Sequence, residues 1–238
     1  MTDFSHIKVI APNFKRRLSG VTATVVRLVP IQARDIAIVG TGPVLPDQVP
    51  QIPLRALLTL PRHPLRVWHA RRNVEMIGGL ALKYMLGKHM KLMFTSASQR
   101  KQSGLTRWLI RQMDAVVATS DKTAAYLEGP STVIMHGIDT ETFSPTKDRT
   151  ALRAEMDLPT SGPLLGCYGR IRAQKGTDAF VHAMISILPQ HPDAHAIVMG
   201  RAVGDDEAFL QGLKDEVKAA GLEQRILFKP EVPTEAMH

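Results

Sequence analysis

The stretch "PLLGCYGRIRAQKGTDAFVHAMISIL", residues 163–188, decides the fold of the second half of the chain. Its apolar run at 164–168 predicts a strand, and the segment after Gly176 has the apolar spacing of a helix. Where a parallel strand feeds a helix, the unpaired N–H groups of the first helical turn and the helix dipole favour a bound anion. The loop between them therefore predicts a phosphate site that contains Gly169, Arg170, Lys175 and Gly176.

The two cations differ in what they offer a phosphate. Arg170 supplies a forked pair of donors and Lys175 a mobile point charge, which together suit a diphosphate. We expect Arg172 to point away from Arg170, or to be solvated, and to contribute least. A structural glycine with two surface cations would explain the same pattern without a ligand. The order of residues is not that of a GxxxxGK[ST] loop, which argues against an ATPase.

Strands and helices alternate along the whole chain, which predicts parallel sheets covered by helices. In the second half we expect strands at 164–168, 194–200 and 225–230, whereas an open doubly wound sheet normally has five or six. The predicted fold class is α/β with two Rossmann-like domains, the second incomplete in this chain. The predicted divisions are an N-terminal domain at 1–142, a linker at 143–163 and a partial C-terminal domain at 164–238.

Composition narrows the class of protein further. The chain has 238 residues, of which 44% are apolar, and no uninterrupted apolar run approaches the roughly 20 residues of a bilayer span. Cys167 is the only cysteine and lies in a predicted strand, where a buried thiol is expected. The first residues resemble a strand rather than an export signal. These features predict a cytoplasmic globular protein.

Positive charge is concentrated in the first half of the chain. Residues 1–120 hold 18 Lys and Arg against five Asp and Glu, while residues 121–238 hold 12 against 17. Such a field attracts an anionic sugar, lipid surface or nucleic acid, although a solvated basic face remains an alternative. Aromatic residues are only 5% and do not interleave with the basic clusters, so no nucleic-acid partner is predicted.

The segment "GLTRWLIRQMD" predicts a helix that contacts anionic membranes. Leu105, Trp108, Leu109 and Gln112 share one helical face, and the cations Arg107 and Arg111 lie on another. A helix that simply faces the core is the alternative.

A second glycine turn follows the predicted first strand, in "NFKRRLSGVTATV". Gly20 ends the loop and Val21 begins a helix, so backbone N–H groups there point toward a ligand above the sheet. An ordinary helix cap by Ser19 is the alternative. Two such helix ends, one in each domain, would suit a nucleoside-diphosphate ligand and its acceptor. A GxGxxG turn is missing, which disfavours an NAD-dependent or regulatory nucleotide-binding protein.

Three segments, "SGV", "HGIDTETFSP" and "YGRIRAQKG", resemble the retaining glycosyltransferases of family 4, which have the GT-B fold. "IAPNFKRRLSGVTATV", "VWHARRNVEM" and "FTSASQRKQS" resemble the lipopolysaccharide core mannosyltransferases within that family. The resemblance implies transfer of a sugar, mannose above all, from a donor such as GDP-mannose to a lipid-linked acceptor with retention. It also implies peripheral attachment at the inner face of the membrane, with neither a cofactor nor a metal.

By this resemblance the loop cations Arg170 and Lys175 are the catalytic residues, because they stabilise the leaving diphosphate. The donor-binding set is Gly20, Val21, Gly169, Arg170, Lys175 and Gly176. From their positions near strand ends, His69, Arg71, Arg72 and Arg100 are predicted to bind the acceptor. A contact of His69 with the donor sugar, a packed strand-end role for His69 and a solvated face for the three cations are the alternatives.

The chain departs from the family pattern in two ways. The acidic E-x7-E motif is not within these residues, so we expect them alone to be inactive, and an inactive glycosyltransferase fragment is the alternative function. Thr95 and Ser96 stand where many relatives have a histidine at a strand end.

Overall fold

The computed structural model describes residues 4–16, 20–137, 140–141 and 143–232. The chain divides into two compact units, Met1–Gly137 and Ile138–His238. The domain limits expected from the sequence stay a prediction. Among the described residues, no helix is both long enough and apolar enough to cross a bilayer.

The first unit is built on a parallel sheet. Its described strands are β1 Val9–Pro12, β2 Ile38–Thr41, β3 Arg66–Ala70, β4 Met90–Ser96, β5 Ala115–Ala118 and β6 Thr132–Val133. They lie in the order β2-β1-β3-β4-β5-β6. Because β1 pairs with β2 on one side and with β3 on the other, the winding of the chain reverses there. In open α/β sheets a ligand crevice forms at the carboxyl ends of the strands at such a point.

Helices cover the two faces of this sheet. The described helices are α1 Gly20–Gln32, α2 Ala56–Thr59, α3 Asn73–Leu80, α4 Gly104–Arg111 and α5 Asp121–Ala124. Successive residues of a strand point to opposite faces, and Ile10 and Ala11 accordingly belong to different apolar clusters. Ala11 packs with Val25 and Val29 of α1, whereas Ile10 belongs to the larger core that includes Leu109 of α4.

Pro30 lies inside α1 without ending it. The helix continues to Gln32, and the Ala33 N–H still donates to the Val29 carbonyl at 2.9 Å. Pro30 lies in the last turn, so its ring removes one hydrogen bond from a part of the helix that ends within two residues.

The helical segment after β3 has two parts. α3 is followed directly by a π-helical turn, Ala81–Met85. Two glycines let α3 lie close to the sheet: a Cβ atom on Gly79 would stand 2.5 Å from Cδ1 of Trp68, and one on Gly78 would stand 2.7 Å from Cε2 of Phe14. Trp68 is fully buried, so α3 is seated on an aromatic core.

The second unit repeats the strand and helix alternation. Its described strands are β7 Leu164–Tyr168, β8 His195–Met199 and β9 Ile226–Lys229, and its helices are α6 Arg149–Glu155, α7 Thr177–Ile187 and α8 Asp206–Ala219. The strands are parallel in the order β7-β8-β9. One apolar cluster joins this sheet to α7 and α8, with Val181, Leu213 and Val217 at most 3% exposed.

Candidate functional site

The loop after β7 has the backbone that its glycines predicted. Gly169 has φ 122° and Gly176 has φ 71°, conformations that favour glycine. A short 3₁₀ turn, Ala173–Lys175, leads into Gly176, and α7 begins without a side-chain cap hydrogen bond. The loop therefore turns tightly and ends at uncapped N–H groups of an eleven-residue helix.

Two neighbouring loops are in close contact at the carboxyl edge of this sheet. The Gly169 N–H donates to the Met199 carbonyl at 3.0 Å, and the Ile171 N–H donates to the Arg201 carbonyl at 3.1 Å. A Cβ atom on Gly200 would stand 1.7 Å from the Gly169 carbonyl oxygen. Gly200 is therefore the residue that permits this approach, a role that the sequence pattern did not predict.

Arg170 and Arg172 line the same cavity, contrary to the expectation that Arg172 points away. Ile171 between them is 3% exposed and packs into the core. In an extended segment the residues before and after a buried residue both point away from the core. The side chains of Arg170 and Arg172 therefore lie on the same side of the segment. The cavity has a volume of about 370 Å³ and is lined by Arg170, Arg172, Ala173, Gln174, Val203, Asp205 and Asp206.

The predicted donor residues of this loop differ in their contacts. Arg170 Nη2 forms an ion pair with Asp206 Oδ2 at 2.9 Å. Lys175 is exposed at the end of the 3₁₀ turn. Gly169, Arg170, Lys175 and Gly176 are thus brought together on one loop, with a carboxylate from α8 at one of the cations.

In the first unit, Arg72 is held in a buried polar network at the crevice beside β1. Its Nη1 donates to Asn13 Oδ1 and to Glu75 Oε1, each at 2.8 Å, and its Nη2 donates to Thr22 Oγ1 at 3.0 Å. Glu75 is fully buried and also accepts from the Arg71 backbone N–H at 2.8 Å. The network joins the end of β1, the start of α1 and the loop after β3, and of its members Arg71 and Arg72 were predicted as site residues.

Arg71 and His69 form a second group at the end of β3. Arg71 Nη2 lies 3.4 Å from His69 Nδ1, and His69 Nε2 lies 2.7 Å from Thr95 Oγ1 on β4. Burial, and then the charge of Arg71, lowers the pKa of His69 to about 3. Burial is also the main cause that lowers the pKa of Arg71 to about 10, while Glu75 opposes the shift. His69 is therefore neutral at physiological pH.

The remaining predicted residues of the first unit lie at its surface. Gly20 is exposed and has no neighbouring atom within 4 Å of a built Cβ atom, and Val21 follows it in the first turn of α1. Ser19, the alternative cap, is outside the described residues. Arg100 is exposed in the loop between β4 and α4.

Cations dominate the loops at the carboxyl ends of β1, β3 and β4. Lys15 and Arg16 are exposed after β1, and Arg100 and Lys101 are exposed after β4. The only carboxylate described between the ends of these strands and the helices α1, α3 and α4, or in the first turns of those helices, is Glu75, which is buried and already paired. This edge of the sheet therefore carries a surplus of positive charge.

The face of α4 differs from the one predicted. Leu109 is fully buried in the core, so it cannot contact a membrane together with Leu105 and Trp108, which are 56% and 53% exposed. Arg107 forms an exposed ion pair with Glu128 at 3.2 Å. The apolar surface of α4 is thus narrower than expected.

α3, which packs against α4, and the π-helical turn after it also carry exposed apolar side chains. Val74 and Ile77 on α3 are 44% and 47% exposed, and Tyr84 and Met85 in the following π-helical turn are 68% and 82% exposed. The Asn73 side chain of α3 donates to Thr106 of α4 at 2.7 Å, which ties the two helices together. We call Val74, Ile77, Tyr84, Met85, Leu105 and Trp108 the apolar helix face.

No group of three or more His, Cys, Asp or Glu side chains in the described parts of the chain could hold a metal ion.

The fold and a family profile define the class of protein. The profile described as Glycosyl transferases group 1 matches residues 148–238. The fold is similar to the crystal structure of Anabaena Alr3699/HepE in complex with UDP, with a TM-score of 0.76, 14% sequence identity, and coverage of 97% of this chain and 70% of that chain. At this identity the likeness concerns the fold, and it confirms the predicted α/β class of GT-B type.

Two curated relatives place the chain within that class. It is 51% identical over 238 residues to the lipopolysaccharide core biosynthesis mannosyltransferase LpcC of Rhizobium leguminosarum bv. viciae, covering 98% of this chain and 67% of that protein. It is 50% identical over 235 residues to the lipopolysaccharide core biosynthesis mannosyltransferase LpsB of Rhizobium meliloti (strain 1021), covering 96% and 66%.

The chain belongs to the group 1 glycosyltransferases, in the family of the lipopolysaccharide core biosynthesis mannosyltransferases. The family and the enzyme class expected from the sequence are confirmed. The chain spans about two thirds of the length of the two relatives.

Proposed function

We propose that this protein transfers mannose from a nucleoside-diphosphate sugar to an acceptor of the lipopolysaccharide core, with retention of configuration. The observation that carries the proposal is 50–51% identity, over nearly the whole chain, to two enzymes named for this activity. The two units supply chemically different surfaces that suit its two substrates.

The second unit suits the donor. When the sugar leaves, negative charge develops on the nucleoside diphosphate, and fixed cations beside it stabilise the transition state. Arg170 and Lys175 stand on one tight loop that ends at uncapped N–H groups of α7. Similar folds crystallised with UDP and with UDP-glucose support a nucleotide sugar as the ligand, and GDP-mannose is the donor that we favour.

The first unit suits an anionic acceptor. The exposed cations after β1 and β4 lie at the edge of the sheet where α/β folds bind ligands. Arg71 and Arg72 are largely buried and form hydrogen bonds within the protein. We therefore propose that they hold the shape of this edge of the sheet and contribute to its positive charge. Arg100, which is exposed, is the better candidate of the predicted set for direct contact with acceptor phosphates or carboxylates.

Two reaction routes can transfer a sugar with retention of configuration, and the groups assigned to the donor loop favour one of them. A double displacement requires a carboxylate nucleophile against the sugar, and no residue is assigned that role. We therefore favour substitution on one face of the sugar, in which the leaving diphosphate assists the incoming hydroxyl. Arg170 and Lys175 would hold the diphosphate in place and stabilise its charge during this step.

The apolar helix face suits a membrane that presents the acceptor. Six large apolar side chains on α3, the π-helical turn and α4 are 44% to 82% exposed, and α4 also carries the exposed cations Arg107 and Arg111. Apolar contact combined with positive charge is what an interfacial helix uses on anionic lipid. We propose attachment at the inner face of the membrane through this surface.

The function can be tested by donor selection. Calorimetry on the chain extended to the full length of its two relatives should show that GDP-mannose binds at least about 10-fold more tightly than UDP-glucose, and mannosyl transfer to a purified lipopolysaccharide core acceptor should be assayed alongside. Equal binding of the two donors would reject the mannosyl assignment. Failure of every nucleotide sugar to bind would reject the glycosyltransferase function for this chain.

A further inference from the structure

Arg170, the cation proposed to hold the donor diphosphate, has an acidic partner within the protein. Its Nη2 donates to Asp206 Oδ2 at 2.9 Å, and the two side chains are 37% and 25% exposed. The contact joins the loop after β7 to the first turn of α8 and lies at the wall of the 370 Å³ cavity. The anion-binding group of this loop is therefore already engaged.

This partner leaves the guanidinium only partly satisfied. Nε of Arg170 is buried and has no hydrogen-bond partner, and the same holds for Nε of Arg172 on the same cavity. A guanidinium has five N–H donors, and a single carboxylate oxygen uses one of them. Buried donors without partners are unfavourable, so this arrangement of Arg170 has hydrogen-bonding capacity left for a larger anion.

We propose that Asp206 occupies the place of a phosphate at Arg170, and that a diphosphate binds by taking over this contact. Asp206 thereby sets the affinity of the site for phosphoanions. The inference rests on the proposed function, since it concerns the loop assigned to the donor.

Competition, rather than joint binding, follows from the charges. A carboxylate and a phosphate both accept hydrogen bonds and both carry negative charge, so they repel one another when they share a guanidinium. Asp206 loses little when it is displaced, because it lies in the first turn of α8, where the helix dipole stabilises a negative side chain. Displacing Asp206 therefore costs the protein little free energy, and anions differ in how well they replace it.

A diphosphate has an advantage over a monophosphate in this exchange. It can contact Arg170 and still reach a second cation of the loop, Arg172 or Lys175, whereas a monophosphate replaces Asp206 with a single group of comparable size. We therefore expect nucleoside diphosphates to displace Asp206 at lower concentrations than nucleoside monophosphates do.

The test is calorimetric binding of inorganic pyrophosphate, GDP and GMP to the parent and to Asp206→Asn. The variant keeps the size of the side chain and removes the competing charge. Pyrophosphate, GDP and GMP should each bind about 3-fold to 10-fold more tightly, because each takes over the same contact. Unchanged binding of pyrophosphate would overturn the inference, because Asp206 would then not compete with the ligand. Weaker binding would also overturn it, because it would mean that Asp206 positions Arg170 for the ligand.

Two further variants separate the direct contact from the general field. Asp205→Asn removes a neighbouring carboxylate of the same cavity that has no hydrogen bond to Arg170 among the described contacts, so its gain should be smaller. In an Arg170→Ala background, Asp206→Asn should change the affinity less than about 2-fold. An equal gain with and without Arg170 would contradict an exchange at this residue. Melting temperatures confirm that all variants are folded.

The inference and the proposed function can fail separately. Tighter pyrophosphate binding by Asp206→Asn, together with no preference for GDP-mannose and no mannosyl transfer, would reject the proposed function and leave the exchange intact. Mannosyl transfer with unchanged pyrophosphate binding in Asp206→Asn would retain the function and reject the exchange.

Discussion

His69 Nε2 lies 2.7 Å from Thr95 Oγ1, across the adjacent strands β3 and β4. Arg71 approaches the other ring nitrogen, Nδ1, and a guanidinium only donates hydrogen bonds. Nδ1 therefore accepts, the proton of the neutral ring is on Nε2, and Nε2 donates to Thr95. The Thr95 hydroxyl keeps its own proton for another acceptor at the carboxyl end of β4, which makes it a candidate contact for a sugar hydroxyl.

This geometry predicts that His69 stays neutral well below its ordinary pKa. Its pKa falls from 6.5 to about 3 because of burial and the charge of Arg71. Nuclear magnetic resonance of the imidazole nitrogens should show the Nε2-protonated neutral ring from pH 8 down to about pH 4. Detection of a protonated His69 ring at pH 6 would contradict the assignment.

The same pKa shift predicts a loss of stability in mild acid. Below pH 6.5 the unfolded chain takes up a proton at His69 while the folded protein does not, so the free energy of unfolding decreases as the pH falls toward about 3. Between pH 6.5 and 5 we expect His69 to account for a loss of about 1–2 kcal/mol. Urea titrations of His69→Gln should lack this part of the pH dependence. His182→Gln, which alters an exposed histidine paired with Glu216, is the matched control and should keep it.

Glu75 is expected to be the most sensitive carboxylate of the first unit. It is fully buried and accepts hydrogen bonds from Arg72 and from the Arg71 backbone. Glu75→Gln leaves Arg72 without its counter-charge in a buried network, and we expect a loss of about 3 kcal/mol in the free energy of unfolding. Glu128→Gln removes an exposed ion pair and should cost less than about 0.5 kcal/mol. Similar costs in the two variants would show that the network at Glu75 is not a stabilising unit.

Trp108 offers a direct measurement of membrane contact. Trp68, the other tryptophan, is fully buried, so a change in emission on lipid addition reports on Trp108. Vesicles that contain anionic lipid should shift the emission to shorter wavelength, and the shift should fall with salt and be lost in Trp108→Phe.

Charge reversal tests the electrostatic part of the same contact. Arg107→Glu with Arg111→Glu should reduce co-sedimentation with anionic vesicles, whereas Lys218→Glu, on α8 of the second unit, should not. Equal binding of the parent to neutral and anionic vesicles would reject the proposed membrane surface.

Local patterns predicted the loop Gly169–Gly176 well because its structure depends on neighbours in the sequence. The two glycines that adopt positive φ lie within a dozen residues of each other, between an apolar run that forms a strand and a segment that forms a helix. The network around Arg72 was not predictable in this way, since Asn13 is 59 residues away and Thr22 is 50 residues away. A spacing of three residues between Arg72 and Glu75 was the one available signal.

The other features that the sequence did not predict depend on tertiary packing. The helical periodicity of α4 placed Leu109 with Trp108, but only tertiary packing decides that Leu109 enters the core while Trp108 stays exposed. The ion pair between Arg170 and Asp206 joins the loop after β7 to the first turn of α8, and α7 and β8 lie between them in the chain. Asp206 could be identified from the sequence as an acidic helix start, but not as a partner of Arg170.

The cations of the donor loop should be needed for binding of a nucleoside diphosphate. If Arg170 and Lys175 hold a diphosphate, each contributes charge-assisted hydrogen bonds of about 1.5–3 kcal/mol, so Arg170→Ala and Lys175→Ala should each weaken GDP binding about 10-fold to 150-fold. Because Arg172 lines the same cavity as Arg170, we expect Arg172→Ala to weaken binding as well, by less than either of the others.

The stability of the protein should change little, which separates a binding role from a structural one. Lys175 is exposed, and the ion pair of Arg170 is partly exposed, so each substitution should alter the free energy of unfolding by less than about 1 kcal/mol. Arg201→Ala, at an exposed cation that pairs with Glu231, is the matched control and should bind GDP as the parent does. If Arg170→Ala and Lys175→Ala both fold and both bind GDP as the parent does, the loop is only a structural turn. The physical basis for placing the donor there is then lost.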